Sequence, residues 1–286
     1  MRRRELIALI GCASAWSVTA RGQQADKTRR IGVLMGTPAQ DAESKAELAG
    51  FRDSLAKLGW IEGSTIHIDY RFPANPDQYP ILAKELIALR PEVILAQSTP
   101  VAAALQRETR AIAIVFTNVS DPIGWGFVSS LAQPGGNLTG VIAYEPGIAG
   151  KWLAMLKEIA PRLTRAALVA NPKTTAYDYF LRNAKAAAIS LDIEVVPSPI
   201  NGIADFEPAI ESFARVPDGA LLMVSDATLV AHRDVVIALA ARYRLPAVYP
   251  WRYVVAEGGL MSYGVDVVDA FQQAASYVSR ILRGDG

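Results

Sequence analysis

The chain has 286 residues, of which 51% are hydrophobic; that exceeds one comfortable core and favours two packed lobes. Its formal charge is +1, but residues 1–22 hold four arginines against one glutamate, and the remaining 25 basic and 27 acidic residues offer nothing to a nucleic-acid partner. Cys12 is the only cysteine, which excludes disulfides, cysteine-based zinc sites and thiol catalysis downstream of residue 22.

Residues 1–22 read as a cleaved export signal, which places the mature chain in the periplasm. Residues 1–5 are basic, residues 6–20 form an apolar run too short to span a bilayer comfortably, and Ala20-Arg21-Gly22 is a small-x-small site before Gln23. Arg3-Arg4-Glu5-Leu6-Ile7 resembles a twin-arginine export motif, although a generic basic segment fits almost as well. Leu9-Ile10-Gly11-Cys12 mimics a lipoprotein cleavage site. Few apolar residues precede that cysteine, however, and the run continues past it, which favours simple cleavage.

After a polar linker, residues 30–35 form a buried strand and 36–40 a loop. Leu48, Phe51, Leu55 and Leu58 then mark one face of a helix closed by Gly59. Residues 64–72 alternate as a second strand, Leu82, Leu86 and Leu89 stripe a helix over 77–89, and 93–96 is a third strand. Gln97-Ser98-Thr99-Pro100 opens another helix, with proline in its first turn. A buried strand at 113–117, a turn at 118–122 and a strand at 138–142 follow. The second half repeats the rhythm: a helix over 151–159 with Trp152, Met155, Leu156 and Ile159 inward, then strands at 165–170, 193–196, 220–224, 247–249 and 259–262. Helices lie near 177–190, 205–214, 225–243 and 266–282, the last with Phe271, Ala275, Val278 and Leu282 inward. Strands alternating with helices imply an α/β fold of parallel sheets covered on both faces, with functional loops at the carboxyl ends of the strands.

The stretch Asn118-Val119-Ser120-Asp121-Pro122, continuing through Gly124-Trp125-Gly126 to Gln133-Pro134-Gly135-Gly136-Asn137-Leu138-Thr139-Gly140, resembles the signature of bacterial ABC-transporter substrate-binding proteins, a family that includes the tryptophan/tyrosine-binding type. The likeness extends more loosely from Arg30 to the last residue. It implies the type I periplasmic-binding-protein fold, two Rossmann-like lobes joined by a hinge and closing on a ligand. On that basis lobe 1 spans 28–142 and lobe 2 spans 143–250, with crossovers near 143–146 and 250–253. Residues 251–286 return to lobe 1, and residues from Gly259 onward complete it. The family pattern carries a further strand after this point, and its lack here predicts a bare sheet edge in lobe 2.

Within such a cleft, helix N-termini supply free N–H groups suited to a carboxylate. Gln97, Ser98 and Thr99 are the leading contacts, with Thr99 alternatively capping its own helix. Asn118 and Asp121 follow the fourth strand, where a structural turn is as good an account of Asp121-Pro122. Asp226 suits a ligand ammonium or caps the next helix, and Asn171 is similarly ambiguous. Tyr144, Tyr177, Tyr249, Trp251 and Tyr263 fall at strand ends or crossovers, where a planar side chain stacks on a ring or packs beneath the hinge. At least two of these five are expected in the cleft.

Catalytic motifs are scarce. His67 sits in a strand and His232 on a helix, no Gly-x-Ser-x-Gly, Walker A or metal-ligand spacing occurs, and Gly124-Trp125-Gly126 is too short for a dinucleotide fingerprint. The expectation is a monomeric solute receptor with no cofactor and no metal, handing a small carboxylate-bearing ligand, an amino acid or aromatic acid, to an ABC permease. A sensory protein serving a membrane kinase has the same cleft. An exported α/β enzyme would need a titratable pair converging there.

Overall fold

The computed structural model describes residues 28–145 and 147–284. The export-signal expectations for residues 1–22, Cys12 included, lie outside them, as does Pro146 of the expected first crossover. Among the described residues no helix is long and apolar enough to cross a membrane.

Lobe 1 is built from β1 (Arg29–Leu34), α1 (Ala42–Lys57), β2 (Ile66–Arg71), α2 (Tyr79–Ala88), β3 (Val93–Gln97), α3 (Thr99–Glu108), β4 (Ala113–Val119) and β5 (Leu138–Ile142). Its five strands are parallel in the order β2-β1-β3-β4-β5. β3 shows why both faces must be covered, since all five of its residues are buried. Val93 and Leu95 point to the face packed by α1, and Ile94 and Ala96 to the face packed by α2 and α3.

Lobe 2 contains α4 (Ile148–Ile159), β6 (Arg165–Ala170), α5 (Tyr177–Ala188), β7 (Glu194–Pro199), α6 (Phe206–Ala214), β8 (Gly219–Met223), α7 (Ala227–Ala231), α8 (Arg233–Arg242), β9 (Ala247–Tyr249), α9 (Arg252–Ala256) and β10 (Met261–Ser262). These strands are also all parallel, in the order β10-β9-β8-β6-β7. Among the described residues nothing pairs with the outer sides of β7 and β10. The last helix, α10 (Val267–Arg283), crosses back and lies on the lobe 1 sheet beside α1, burying Phe271, Ala275, Val278 and Leu282.

Three expectations need correction. The return to lobe 1 does not fall near 250–253: Trp251 and Val254 are buried in the lobe 2 core, and β10 pairs with β9 through Met261↔Val248. The chain therefore leaves lobe 2 only after Ser262, and α10 alone, not everything from Gly259 onward, completes lobe 1. The inward face of α4 is turned from the expected one, with Trp152, Leu153 and Leu156 buried and Ile159 exposed. Finally, the helix expected over 225–243 breaks at His232 (φ −130°, ψ 29°), where the Arg233 guanidinium donates to the freed Val230 carbonyl at 2.7 Å.

Candidate functional site

The carboxyl ends of β1, β3 and β4 meet those of β6, β8 and β9 across a cleft between the lobes. Lobe 1 contributes the loop after β1, the polar face of α1, Gln97 to Thr99, Asn118 and Ser120; lobe 2 contributes Thr174, Thr175, Ser225, Asp226, Trp251 and Tyr253. The free space enclosed is about 30 Å3. That holds a water molecule or two but not an amino acid, so the lobes rest nearly shut on each other here. A gap of about 210 Å3 adjoins it, between the 73–76 loop of lobe 1 and Asn171, Asn201 and His232 of lobe 2.

Two backbone positions in this cleft lie in the left-handed half of conformational space. Ser98 has φ 88° and ψ 156°, a region that glycine alone adopts at ease, and Asn118 has φ 56°. Both project unpartnered atoms: Ser98 Oγ and Asn118 Oδ1 are shielded from solvent and hydrogen-bonded to nothing. Ser98 precedes α3 without capping it, so first-turn N–H groups of that helix lack a side-chain acceptor. Gly36, just beyond β1, leaves room for Ser98, since a Cβ there would sit 2.8 Å from Ser98 Oγ and force that hydroxyl to move.

Around these groups a hydrogen-bond network fixes lobe 1. Gln97 Oε1 accepts from the Gly36 N–H at 2.8 Å and from the Thr37 hydroxyl at 3.1 Å, which orients its amide to donate to Glu47 Oε2 at 2.7 Å. Thr37 in turn meets Ser44 at 2.7 Å, and Asp41 caps α1 by accepting from Glu43 N and Ser44 N. Glu47 is only 4% exposed; burial first, then the charges of Asp41 and Glu43, push its carboxyl well above the ordinary range, with the bond from Gln97 acting the other way. One ion pair bridges the lobes at this level: Arg233, opening α8, holds Asp41 at 2.7 Å and Glu257 at 2.8 Å and lies over the Tyr253 ring, which stacks on Trp251 at 5.7 Å.

The residues singled out in the sequence fare unequally. Gln97, Ser98, Thr99, Asn118 and Asp226 do come together, from both lobes, along one cavity. Thr99 does not cap its helix; its hydroxyl clips the β4 loop, accepting from Ser120 N at 3.0 Å. Asp226 is saturated within its own lobe, accepting from Asn171 N, Thr174 Oγ1 (2.7 Å), Thr228 N (2.6 Å) and Leu229 N (3.2 Å), so the capping role is the one observed. Asn171 lies outside the main cavity and organises lobe 2 by donating to Asn201 O and Thr228 Oγ1, each at 3.1 Å. Asp121 forms a turn, accepting from Gly124 N at 2.9 Å.

The tyrosines disappoint. Tyr144 is buried against Trp152 and Phe180, Tyr177 donates to Leu168 O inside lobe 2, Tyr249 is a core residue of lobe 2, and Tyr263 lies at the surface beside Lys151. Only Trp251 of the five aromatic candidates reaches the cavity, and the second ring there, Tyr253, was not anticipated. Only Tyr249 lies on a strand; Tyr144 and Tyr263 follow strand ends and Tyr177 opens α5, and each side chain takes the core side or the outer surface. The acidic face of α1 is a further part of the cleft, beyond the sequence candidates. Its signal was there: Ser44 and Glu47 sit at i, i+3 on the buried side, where apolar residues belong.

The same chain matches the family model described as ABC transporter substrate binding protein over residues 31–286. The protein belongs to this family. A relative named tyrosine-binding protein from Clostridioides difficile (strain R20291) is 26% identical, aligned over 96% of this chain and 80% of its own. A Streptococcus pneumonia structure, an ABC domain in complex with L-Trp, superposes with a TM-score of 0.81 at 21% identity, covering 90% of this chain and 86% of the other. The ligand-free, open structure of a substrate binding protein with adhesive properties from Clostridium difficile superposes with a TM-score of 0.62 at 23% identity, covering 91% and 86%. At such identities the two structures establish the shared two-lobe fold.

Proposed function

We propose that this substrate-binding protein works outside the cytoplasm, in the periplasm after export, and delivers an amino-acid-like ligand to the membrane permease of an ABC import system by closing its lobes around it. The observation that carries the reading is the cleft: strained Ser98 and Asn118 offer unpartnered atoms from lobe 1, and Trp251 and Tyr253 offer rings from lobe 2. Neutral donors at the start of α3 suit the carboxylate of such a ligand, and the stacked rings suit a planar side chain. Hinge closure is supported by the small enclosed volume, and by the far better superposition on the L-Trp complex than on the open, ligand-free relative of similar identity.

Calorimetric titration with L-tyrosine and L-tryptophan tests this. Binding is expected, with Ser98→Ala weakening it by about 1.5 to 3 kcal/mol through loss of a hydrogen bond to a charged group. Absence of binding by either amino acid would remove them as candidates, and unchanged affinity in the variant would take Ser98 out of the site.

A further inference from the structure

The charges facing the cleft are one-sided. α1 presents Asp41, Glu43 and Glu47, lobe 2 presents Asp226, and among the described residues no lysine, arginine or histidine lines the cavity. The nearby Arg233 guanidinium is already shared between Asp41 and Glu257. A ligand whose only charge is a carboxylate thus meets neutral donors and a field of like charge. Glu47 is the acid left wanting: buried, it accepts one hydrogen bond, from the neutral Gln97, whereas Asp226 is filled by four donors and Asp41 holds a cation. Independently of these acids, Ser98 Oγ and Asn118 Oδ1 sit unpartnered along the same cavity, and Asn118 Oδ1 can only accept.

Building on the solute-binding reading above, we propose that the cleft selects a ligand bearing a cationic nitrogen, with Glu47 as its counter-ion, and that Glu47 releases a proton to solvent as the ligand binds. The carboxyl O–H bond breaks, the proton passes to buffer, and the carboxylate so formed pairs with the ligand's N–H. In the empty cleft burial and the neighbouring acids favour the protonated form of Glu47, opposed by the single hydrogen bond from Gln97. On its own helix stand Asp41 and Glu43, from β3 the uncharged Gln97, from α9 the Tyr253 hydroxyl, and across the cleft Asp226, while the Arg233 guanidinium is divided between Asp41 and Glu257. The raised pKa of Glu47 agrees with this placement, and Tyr253 is itself pushed up by burial and by the charge of Glu47. A cationic ligand reverses the balance, so its affinity rises with pH while Glu47 of the empty cleft is losing its proton, and levels off once that carboxyl is ionised before binding.

Three compounds sharing one ring separate the possibilities: L-tyrosine, tyramine, which lacks the carboxylate, and 3-(4-hydroxyphenyl)propionate, which lacks the amine. Titrated calorimetrically in two buffers of different ionisation enthalpy, the two amines are expected to bind at least about tenfold more tightly than the acid. Their heats should differ between buffers in the sense of proton release, and Glu47→Gln should abolish both the preference and the buffer dependence. Equal or tighter binding of the acid, failure of both amines to bind, or buffer-independent heats in the unaltered protein overturn the proposal. If the acid alone binds, the solute-binding reading stands without it; if none of the three binds, both readings fall for ligands of this class.

Discussion

Ser98 shows how function is written against stability at a single residue. Its φ of 88° with ψ 156° belongs to glycine, and holding a serine there costs about 1–3 kcal/mol, which the surrounding packing must over-determine. Gly36 beneath it, Gln97 before it and the Thr99 clip to Ser120 supply that constraint. Ser98→Gly is therefore expected to raise the unfolding free energy by about 1 kcal/mol while weakening ligand binding, a pairing that urea denaturation and calorimetry can check. A glycine variant less stable than the parent would show that Ser98 is not strained. The sequence exposed this loop because a polar pair before proline ended a buried strand, yet the conformation of Ser98 was invisible in it. Backbone strain has no compositional mark when a non-glycine residue bears it. Asp226 illustrates the opposite limit: its position was legible, but whether a carboxylate after a strand faces a ligand or its own helix depends on ψ and on neighbours such as Thr174 from a distant segment.

At the scale of elements, periodicity worked where one face is buried and failed where a few residues serve two surfaces. The inward face of α10 is legible because Phe271, Ala275, Val278 and Leu282 repeat at helical spacing, and all four are buried on the lobe 1 sheet. β10 falls within the strand expected at 259–262, but two residues carry no pattern that assigns a lobe, and only the pairing with β9 places them in lobe 2. α4 was read a fraction of a turn off because Met155 and Ile159 look as apolar as Leu153, and tertiary contact alone decides between them. The signature stretch divides likewise: Asn118 and Ser120 reach the cleft, while residues 130–132 and 134–140 line a separate groove of about 670 Å3 against α10. One glycine in it has a structural reason. β4 and β5 slip register between Phe116 and Val119, and Gly140 sits at that slip with φ 158°, where a Cβ would lie 2.1 Å from the Phe116 carbonyl oxygen. Gly140→Ala is expected to cost roughly 3 kcal/mol or more, seen as a lower urea midpoint, because the strand edge has to move to admit it. An unchanged midpoint would mean that β5 is free to shift without loss.

For the whole molecule the deciding quantity is the balance between open and closed lobes, and one contact is placed to set it. Arg233 of lobe 2 reaches Asp41 of lobe 1 at 2.7 Å with both side chains largely out of solvent (16% and 7% exposed), unlike the exposed inter-lobe pair Lys173–Asp77 at 3.3 Å. An exposed pair contributes little, whereas a shielded, hydrogen-bonded one is worth more. Asp41 also caps α1, so replacing it with alanine would confuse two effects. Asparagine keeps the cap and removes the charge, and Arg233 retains Glu257, so no guanidinium is stranded. Asp41→Asn should therefore leave the melting temperature of the lobes nearly unchanged while costing the closed form roughly 1.5–3 kcal/mol. That is about a tenfold to hundredfold shift toward open molecules, visible as a larger radius of gyration in small-angle X-ray scattering without ligand. Ligand affinity should fall in step with the closed population, and saturating ligand should restore the compact scattering profile. If ligand-free scattering is the same for both proteins, Arg233 does not hold the lobes together, and its role ends with Glu257 and the Tyr253 ring.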